Sequence, residues 1–160
     1  MDLIYFDIKR NRKAEKELGA KFMTLDEVMK RSDFISVNVA LTSKTRGIIG
    51  EKQLRMMKNT AYIVNTSRGP VIDQASLVEV LSEGGIAGAG LDVFDKEPIL
   101  KNDPLLKLEN VVLSPHIGSL TEEAREAMAI CDAKNIVSII KGDIPPPNGV
   151  PEQRGMIFKK

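Results

Sequence analysis

Five short apolar runs, separated by stretches with a helical pattern, are the feature of this sequence that most constrains its fold. The runs cover residues 3–6, 34–37, 61–64, 86–91 and 111–113. Apolar runs of this length, bounded by polar residues and glycines, are typical of buried strands. Because strands that alternate with helices form a parallel sheet with helices on both faces, the sequence predicts an α/β fold.

Capping residues mark where several of the predicted helices begin. Thr24-x-x-Glu27 and Ser119-x-x-Glu122 both have the pattern of a capping box, and the second would open a long amphipathic helix. Asp73 is suited to cap another helix, because its carboxylate can accept a hydrogen bond from the first turn. The predicted helices run over about 24–31, 50–58, 74–82 and 119–142.

Composition and charge predict an ordinary globular protein of one domain. The net charge is +1 and the cationic residues are scattered, so we expect neither a nucleic-acid partner nor a membrane partner. The densest basic run, residues 9–13, is interpreted as a solvated turn. No apolar run approaches the length of a membrane span and the amino terminus has no secretory pattern, so a cytoplasmic protein is expected.

The single cysteine, Cys131, cannot form an internal disulfide, which favours a reducing compartment. It falls among the apolar positions of the long helix, so we interpret it as a packing residue rather than a nucleophile. No metal site is expected. Residues 145–147 are three consecutive prolines, and the segment 144–160 is predicted to be a loosely ordered tail.

Polar groups follow three of the predicted strands. Arg68 lies in the segment Asn-Thr-Ser-Arg-Gly, acidic residues lie in Leu-Asp-Val-Phe-Asp-Lys-Glu-Pro, and His116 lies in Ser-Pro-His-Ile-Gly. In an open α/β sheet, ligands bind at the carboxyl ends of the strands. A cation, an acid and the only histidine at this edge predict a proton-transfer site for a substrate that carries a carboxylate.

These segments, in this order and spacing, resemble the NAD-binding domain of the D-isomer-specific 2-hydroxyacid dehydrogenases, over residues 1–143. The matching stretches are 41–46, 64–69, 87–94, 97–98 and 114–118. The glyoxylate and hydroxypyruvate reductase branch is the most similar, followed by the phosphoglycerate dehydrogenases. The resemblance implies a partial doubly wound, Rossmann-like parallel sheet with a long carboxy-terminal helix.

The resemblance also implies roles for individual residues. Arg68 would bind the carboxylate and the carbonyl of a 2-oxo acid, and His116 would be the general acid in reduction and the base in the reverse direction. Glu97 would pair with the imidazole and favour its protonated form. Hydride would pass to or from the nicotinamide.

A cofactor cleft is implied along the same edge. Asp92 would bond the nicotinamide carboxamide, while Asp7, at the end of the first strand, would contact the adenosine ribose. An acid at that position repels a 2′-phosphate and favours NAD over NADP, although Lys9 and Arg10 could soften the preference. The remaining cofactor-binding residues implied by the resemblance are Val39, Thr66, Ser67, Arg68, His116 and Gly118.

The sequence departs from the family pattern in two ways. It contains no G-x-G-x-x-G loop, and it has no substrate-binding domain. Gly88-x-Gly90 lies within a strand pattern, so we interpret it as close packing rather than as a phosphate cradle. The missing family strand would lie between residues 3–6 and 34–37, where its absence would leave unpaired edges.

Three interpretations stay open at this point. The chain could be a truncated product, one half of a split enzyme completed by an amino-terminal piece, or a non-catalytic NAD-binding module resembling the corepressors related to this family. The resemblance also implies a homodimer. We expect little or no turnover from this chain alone.

Overall fold

The computed structural model describes residues 1–142, which fall into two compact units, residues 1–118 and a second that begins at Ser119. The first unit contains six strands, all in parallel pairs, four α-helices and two short 3₁₀ helices, Gly69–Val71 and Pro104–Lys107. The strands are β1 (Ile4–Tyr5), β2 (Lys21–Phe22), β3 (Phe34–Val37), β4 (Tyr62–Asn65), β5 (Gly88–Leu91) and β6 (Val111–Leu113). The helices are α1 (Arg12–Leu18), α2 (Leu25–Arg31), α3 (Glu51–Leu54) and α4 (Gln74–Ser82).

The strands form two sheets. β1 pairs with β2, and β3, β4, β5 and β6 follow one another in a four-stranded sheet. All of these pairings are parallel, with Val37 opposite Asn65 and Asn65 opposite Leu91. The carboxyl ends of β3, β4 and β5 are therefore level, which confirms the predicted α/β class and puts the polar segments at one edge.

Buried and exposed side chains alternate along β3 and β4, so one face of the four-stranded sheet is buried and the other is exposed. The buried face, which includes Ile35 and Ile63, shares one core with side chains from α2, α3 and α4. On the opposite face Phe34 and Tyr62 stack at 5.7 Å and stay exposed, as does Val112. Helices of the first unit thus cover one face of this sheet, where the sequence had suggested both.

The sequence analysis overlooked α1 and β2. The segment 9–13 was interpreted as a turn, but helix α1 begins within it, because the Asn11 side chain accepts a hydrogen bond from the Ala14 N–H. Gly19 ends the helix in the left-handed conformation, with φ of 65°. The chain then pairs β2 with β1, where Tyr5 and Phe22 meet edge to face. Apolar residues were too sparse here to give a strand signal.

The second unit contributes α5 (Glu122–Lys141), the predicted long helix. Its cap is Thr121, which accepts the Ala124 N–H, so the prediction that a capping box at Ser119 opens the helix is wrong. Cys131 is half-buried. Met128 and Ile139, predicted among the apolar positions, are exposed. The proline-rich segment lies outside the described residues. Within residues 1–142 no helix has the length and apolar character needed to cross a bilayer.

Candidate active site

Asn65, the last residue of β4, organises the turn that carries Arg68. Its side chain is 1% exposed, and its amide Nδ2 donates to the Arg68 carbonyl at 3.1 Å. Its Oδ1 accepts from both the N–H and the hydroxyl of Ser67. One buried amide therefore satisfies the backbone of this turn. The sequence analysis did not single out Asn65, although an amide that ends an apolar strand is a typical turn former.

Gly69 allows this turn to approach the chain that follows β5. A Cβ atom at residue 69 would lie 2.1 Å from the carbonyl carbon and oxygen of Phe94, which no side chain tolerates. The close backbone contact brings the Arg68 turn beside the segment that contains Glu97. Arg68 itself is exposed, and its guanidinium donates to the Ser67 carbonyl at 2.6 Å.

Glu97 connects the β5 segment to the only histidine. Its Oε2 lies 2.6 Å from Nδ1 of His116, and its Oε1 accepts the Phe94 N–H at 3.0 Å. The hydrogen bond from His116, with the one from Phe94, holds the pKa of Glu97 below its ordinary value, and the Arg68 charge adds to the effect. The pair is open to ligands, since the His116 and Glu97 side chains are 46% and 33% exposed.

The Asp92 carboxylate binds the loop that follows β6. Its Oδ1 accepts the Ser114 hydroxyl at 2.6 Å and the Ile117 N–H at 2.8 Å, and its Oδ2 accepts the Gly118 N–H at 2.7 Å. Successive backbone N–H groups around a left-handed residue form a concavity that binds anions. Here the anion is a buried side chain, 5% exposed. Burial acts to raise the pKa of Asp92, but these three hydrogen bonds outweigh it and lower the pKa.

His116 has a left-handed backbone, with φ of 57°, and no other non-glycine residue within residues 1–142 has a positive φ. That conformation is unfavourable for a residue with a β-carbon and is found where neighbouring bonds impose it, often at functional sites. The loop imposes it through the bonds to Asp92 and through the His116 N–H, which donates to the Ser114 carbonyl at 3.0 Å.

Thr66 and Gly118, which were predicted to line a cofactor cleft, lie next to Asp92. A Cβ atom at residue 118 would be 2.9 Å from the Asp92 carboxylate and 3.9 Å from the Thr66 methyl group. The structure thus groups Arg68, Glu97 and His116 at the edge, with Asp92, Thr66 and Gly118 beside them. These placements agree with the geometry expected from the sequence; their roles stay predictions.

Asp7 and Val39 lie elsewhere, on a cavity of about 280 Å³ between β1 and β3. Asp7 is exposed and accepts the Lys9 N–H at 3.1 Å. The guanidinium of Arg10 is engaged by both carboxylate oxygens of Glu15, at 2.6 and 3.0 Å. That pairing was not foreseen, because α1 was not.

The paired glycines of β5 are confirmed as strand residues. Gly88 and Gly90 both lie within β5, and a Cβ atom at residue 88 would lie 2.6 Å from the Asn110 carbonyl oxygen. Close strand packing therefore explains Gly88. Among residues 1–142 no group of three or more histidine, cysteine or acidic side chains is arranged to hold a metal ion.

Comparison with known proteins relates the chain to one family. Residues 1–118 match the model of the D-isomer specific 2-hydroxyacid dehydrogenase, NAD binding domain. The chain is 53% identical over 146 residues to glyoxylate reductases from Korarchaeum cryptofilum and from Thermococcus litoralis, and each match covers 91% of this chain. It covers only 44% of either relative, so it spans less than half the length of these proteins.

Solved structures of dehydrogenases share the fold of this chain, and the chain again covers less than half of each one. A glyoxylate reductase from Paecilomyes thermophila superposes with a TM-score of 0.84 at 40% identity, covering 96% of this chain and 46% of that one. The holo D-mandelate dehydrogenase of Rhodotorula graminis gives a TM-score of 0.80 at 36% identity, covering 86% and 40%. The arrangement of strands and helices described above therefore recurs in larger dehydrogenases.

Proposed function

The chain belongs to the D-isomer specific 2-hydroxyacid dehydrogenase family, and from that premise we propose that it carries the proton-transfer site and part of the cofactor site of an NAD-dependent reductase of 2-oxo acids. Glyoxylate and hydroxypyruvate are the proposed substrates, because the similar curated proteins are glyoxylate reductases. The observation that carries the proposal is the 2.6 Å contact of His116 with Glu97 beside Arg68.

His116 is proposed as the proton donor. Because its Nδ1 is held by Glu97, Nε2 is the nitrogen that can give a proton to the substrate oxygen in reduction and take it back in oxidation. The lowered pKa of Glu97 keeps its carboxylate ionised at neutral pH, so that it can accept a hydrogen bond from Nδ1 of His116. Proton transfer by a positioned histidine typically contributes a factor of about 10²–10⁴ to the rate.

Arg68 is proposed to bind the substrate's carboxylate. A guanidinium offers a planar fork of donors that matches a carboxylate, and Arg68 is exposed at the same edge as His116. Its position depends on the Asn65 bond to its carbonyl rather than on a salt bridge of its own. The same charge would polarise the carbonyl carbon that receives hydride.

NAD is proposed as the cofactor, and it supplies or accepts the hydride when bound. The residues present fit its two ends. Asp7 offers a carboxylate to the ribose hydroxyls at a cavity that Val39 helps to line. Thr66, Asp92 and Gly118 adjoin one another beside the proton-transfer pair, and Ser67 lies in the adjoining turn.

The choice of NAD over NADP is supported by the state of Arg10. Of the two cations near Asp7 that could bind a 2′-phosphate, Lys9 and Arg10, the Arg10 guanidinium is held by Glu15 and lies 5.6 Å from the Phe22 ring centroid. Asp7 itself would repel the phosphate. The residues that would hold the pyrophosphate are not found among residues 1–142, since no glycine-rich loop there joins a strand to a helix.

We further propose that full activity needs a strand supplied by another segment. β1 and β3 line the same two cavities, of about 310 and 280 Å³, and within the described residues neither strand pairs with a neighbour across this gap. Alternate backbone groups of each strand are therefore directed into the gap without a sheet partner. Such an edge favours addition of a strand. Homodimerisation, implied by the family, stays a prediction.

The test combines the chain with the amino-terminal half of the glyoxylate reductase from Korarchaeum cryptofilum. We expect negligible NADH-dependent reduction of glyoxylate or hydroxypyruvate by the chain alone, and measurable turnover by the mixture. His116→Ala should abolish the restored activity, while Lys107→Ala, which removes an exposed cation from the 3₁₀ turn at 104–107, should leave it unchanged. Restored activity that survives His116→Ala would refute the proposed role of this histidine.

A further inference from the structure

We propose that Ser114 is a positioning residue for His116, which it orients through Asp92 without contacting the substrate. The inference rests on the proposed function for its catalytic meaning, but its geometry stands independently. Ser114 is half-buried and lies directly after β6, at the base of the loop that carries His116.

Ser114 makes three hydrogen bonds that together connect β5, β6 and the loop. Its N–H donates to the Leu91 carbonyl at 3.0 Å, which continues the pairing of β6 with β5. Its carbonyl accepts the His116 N–H at 3.0 Å, and its hydroxyl donates to Asp92 Oδ1 at 2.6 Å. The first two bonds use the backbone and any residue except proline could make them. The third is specific to a hydroxyl side chain.

The hydroxyl determines how the Asp92 carboxylate is oriented. Rotation of a carboxylate about its last side-chain bond is soft and lacks sharp minima. Two backbone N–H groups, from Ile117 and Gly118, approach the carboxylate from the loop, and Ser114 approaches it from the strand end. Donors from both sides fix the plane of the carboxylate, and the fixed carboxylate then holds the two N–H groups.

The positions of those N–H groups determine the backbone of His116. The unfavourable left-handed φ of 57° persists because the N–H groups that follow it are bound. If the carboxylate turns, the loop can relax toward ordinary φ values. The imidazole would then leave Glu97, because a 2.6 Å contact between two partly exposed side chains has little else to preserve it.

The experiment uses the 160-residue chain and compares Ser114→Ala with Ser114→Thr, which keeps a hydroxyl. Ser82→Ala, which removes an exposed hydroxyl bonded to the Glu79 carbonyl in α4, is the matched control. The sequence has a single histidine, so ¹⁵N-edited NMR of the imidazole observes His116 without assignment. The Nδ1–H proton reports the bond to Glu97, ¹³C titration gives the Glu97 pKa, and thermal unfolding reports the fold.

Ser114→Ala should lose the Nδ1–H signal and raise the pKa of Glu97 toward its ordinary value of about 4.3, with a melting temperature close to that of Ser82→Ala. Ser114→Thr should keep both wild-type signatures. The inference is overturned if the wild-type chain shows no such proton, if Ser114→Ala keeps it, or if Ser114→Ala fails to fold, which would make Ser114 purely structural. None of these measurements needs turnover, so they separate this inference from the proposed reaction.

Discussion

The carboxyl edge of the four-stranded sheet and the gap between β1 and β3 belong to the same compact unit, but their polar groups are satisfied to different degrees. At the edge, the buried side chains of Asn65 and Asp92 bind backbone groups of the two turns. At the gap, two strands line cavities, and neither has a sheet partner across the gap among residues 1–142. Preorganisation of the proposed proton-transfer site is therefore local, whereas the proposed ribose contact at Asp7 adjoins strands that have no sheet partner across the gap among residues 1–142.

The edge turns and the gap differ in where the groups that satisfy their backbone come from. Each edge turn is stabilised by residues within a few positions or by strands that already pair, so little additional loop entropy opposes its formation. The gap can be closed only by a further strand, and its exposed backbone groups favour that addition. Under the proposed function, the groups for proton transfer are held within the described residues, while turnover needs a strand from another segment.

The largest expected effect comes from breaking the edge at Gly69. Gly69→Ala would place a Cβ atom 2.1 Å from the Phe94 backbone, so the two turns must separate. Overpacking against rigid backbone typically costs about 1–3 kcal/mol and sometimes more, and we expect the upper part of that range in urea unfolding. Gly90→Ala is the matched control in the neighbouring strand, because its nearest atom, on Val64, would be 3.6 Å away. Equal stability of the two variants would contradict the close approach.

Acidification should affect the carboxyl edge through Asp92 and Glu97, and we expect a smaller effect on stability than that of Gly69→Ala. The pKa values of Asp92 and Glu97 are lowered in the folded chain, so the stability that they contribute is present above their unfolded values, about 3.9 and 4.3. It is lost as the pH falls through the lowered values. The edge should therefore loosen below about pH 4, whereas the amides that pair β1 with β2, such as the Met23 N–H bonded to the Tyr5 carbonyl, have no direct bond to Asp92 or Glu97.

Amide NMR between pH 7 and pH 3 would measure this contrast. The Ile117 and Gly118 amide protons, which are bonded to Asp92, should shift together as the carboxylate takes up a proton. The Lys21 and Met23 amide protons donate to carbonyls of Leu3 and Tyr5 and should not follow that titration. Asp92→Asn should remove the titration from the first pair. If all four amides shift with one midpoint, the edge and the gap unfold as one unit.

Sequence reasoning reached the parallel α/β class and the edge because both are encoded by simple patterns. Apolar runs mark strands, and polar residues after them mark the carboxyl edge, so Arg68, Glu97 and His116 could be identified before the structure was known. Asn65 and Ser114 were missed as organisers, because their function depends on partners far away in sequence or on the direction of one side chain. No local pattern encodes that Ser114 and Asp92 meet across 22 positions.

The same limit explains the errors at the amino terminus. Residues 9–13 look like a solvated basic turn, since the sequence does not reveal that Asn11 caps a helix or that Glu15 returns to Arg10. Once α1 forms, Arg10, one of the two basic residues expected to soften the preference for NAD, is already paired with Glu15. A prediction of cofactor preference from charge alone counted Arg10 as free, and the structure corrects that count.

The smallest expected effect is a change in the preference between NADH and NADPH at the gap between β1 and β3. Hydrogen bonds from Arg10, then from Tyr5, lower the pKa of Glu15, so the pair stays charged at neutral pH. Glu15→Gln should weaken the hold on the guanidinium and allow it to approach a 2′-phosphate near Asp7. In the complemented protein we expect NADPH binding to strengthen severalfold relative to NADH, measured by nucleotide fluorescence. Glu17→Gln, two residues further along the same helix, supplies the control for loss of a negative charge. If both variants change NADPH binding equally, the loss of one negative charge, and not the release of Arg10, sets the preference between NADPH and NADH. We expect the change in Glu17→Gln to be smaller, because an exposed charge acts only weakly through solvent.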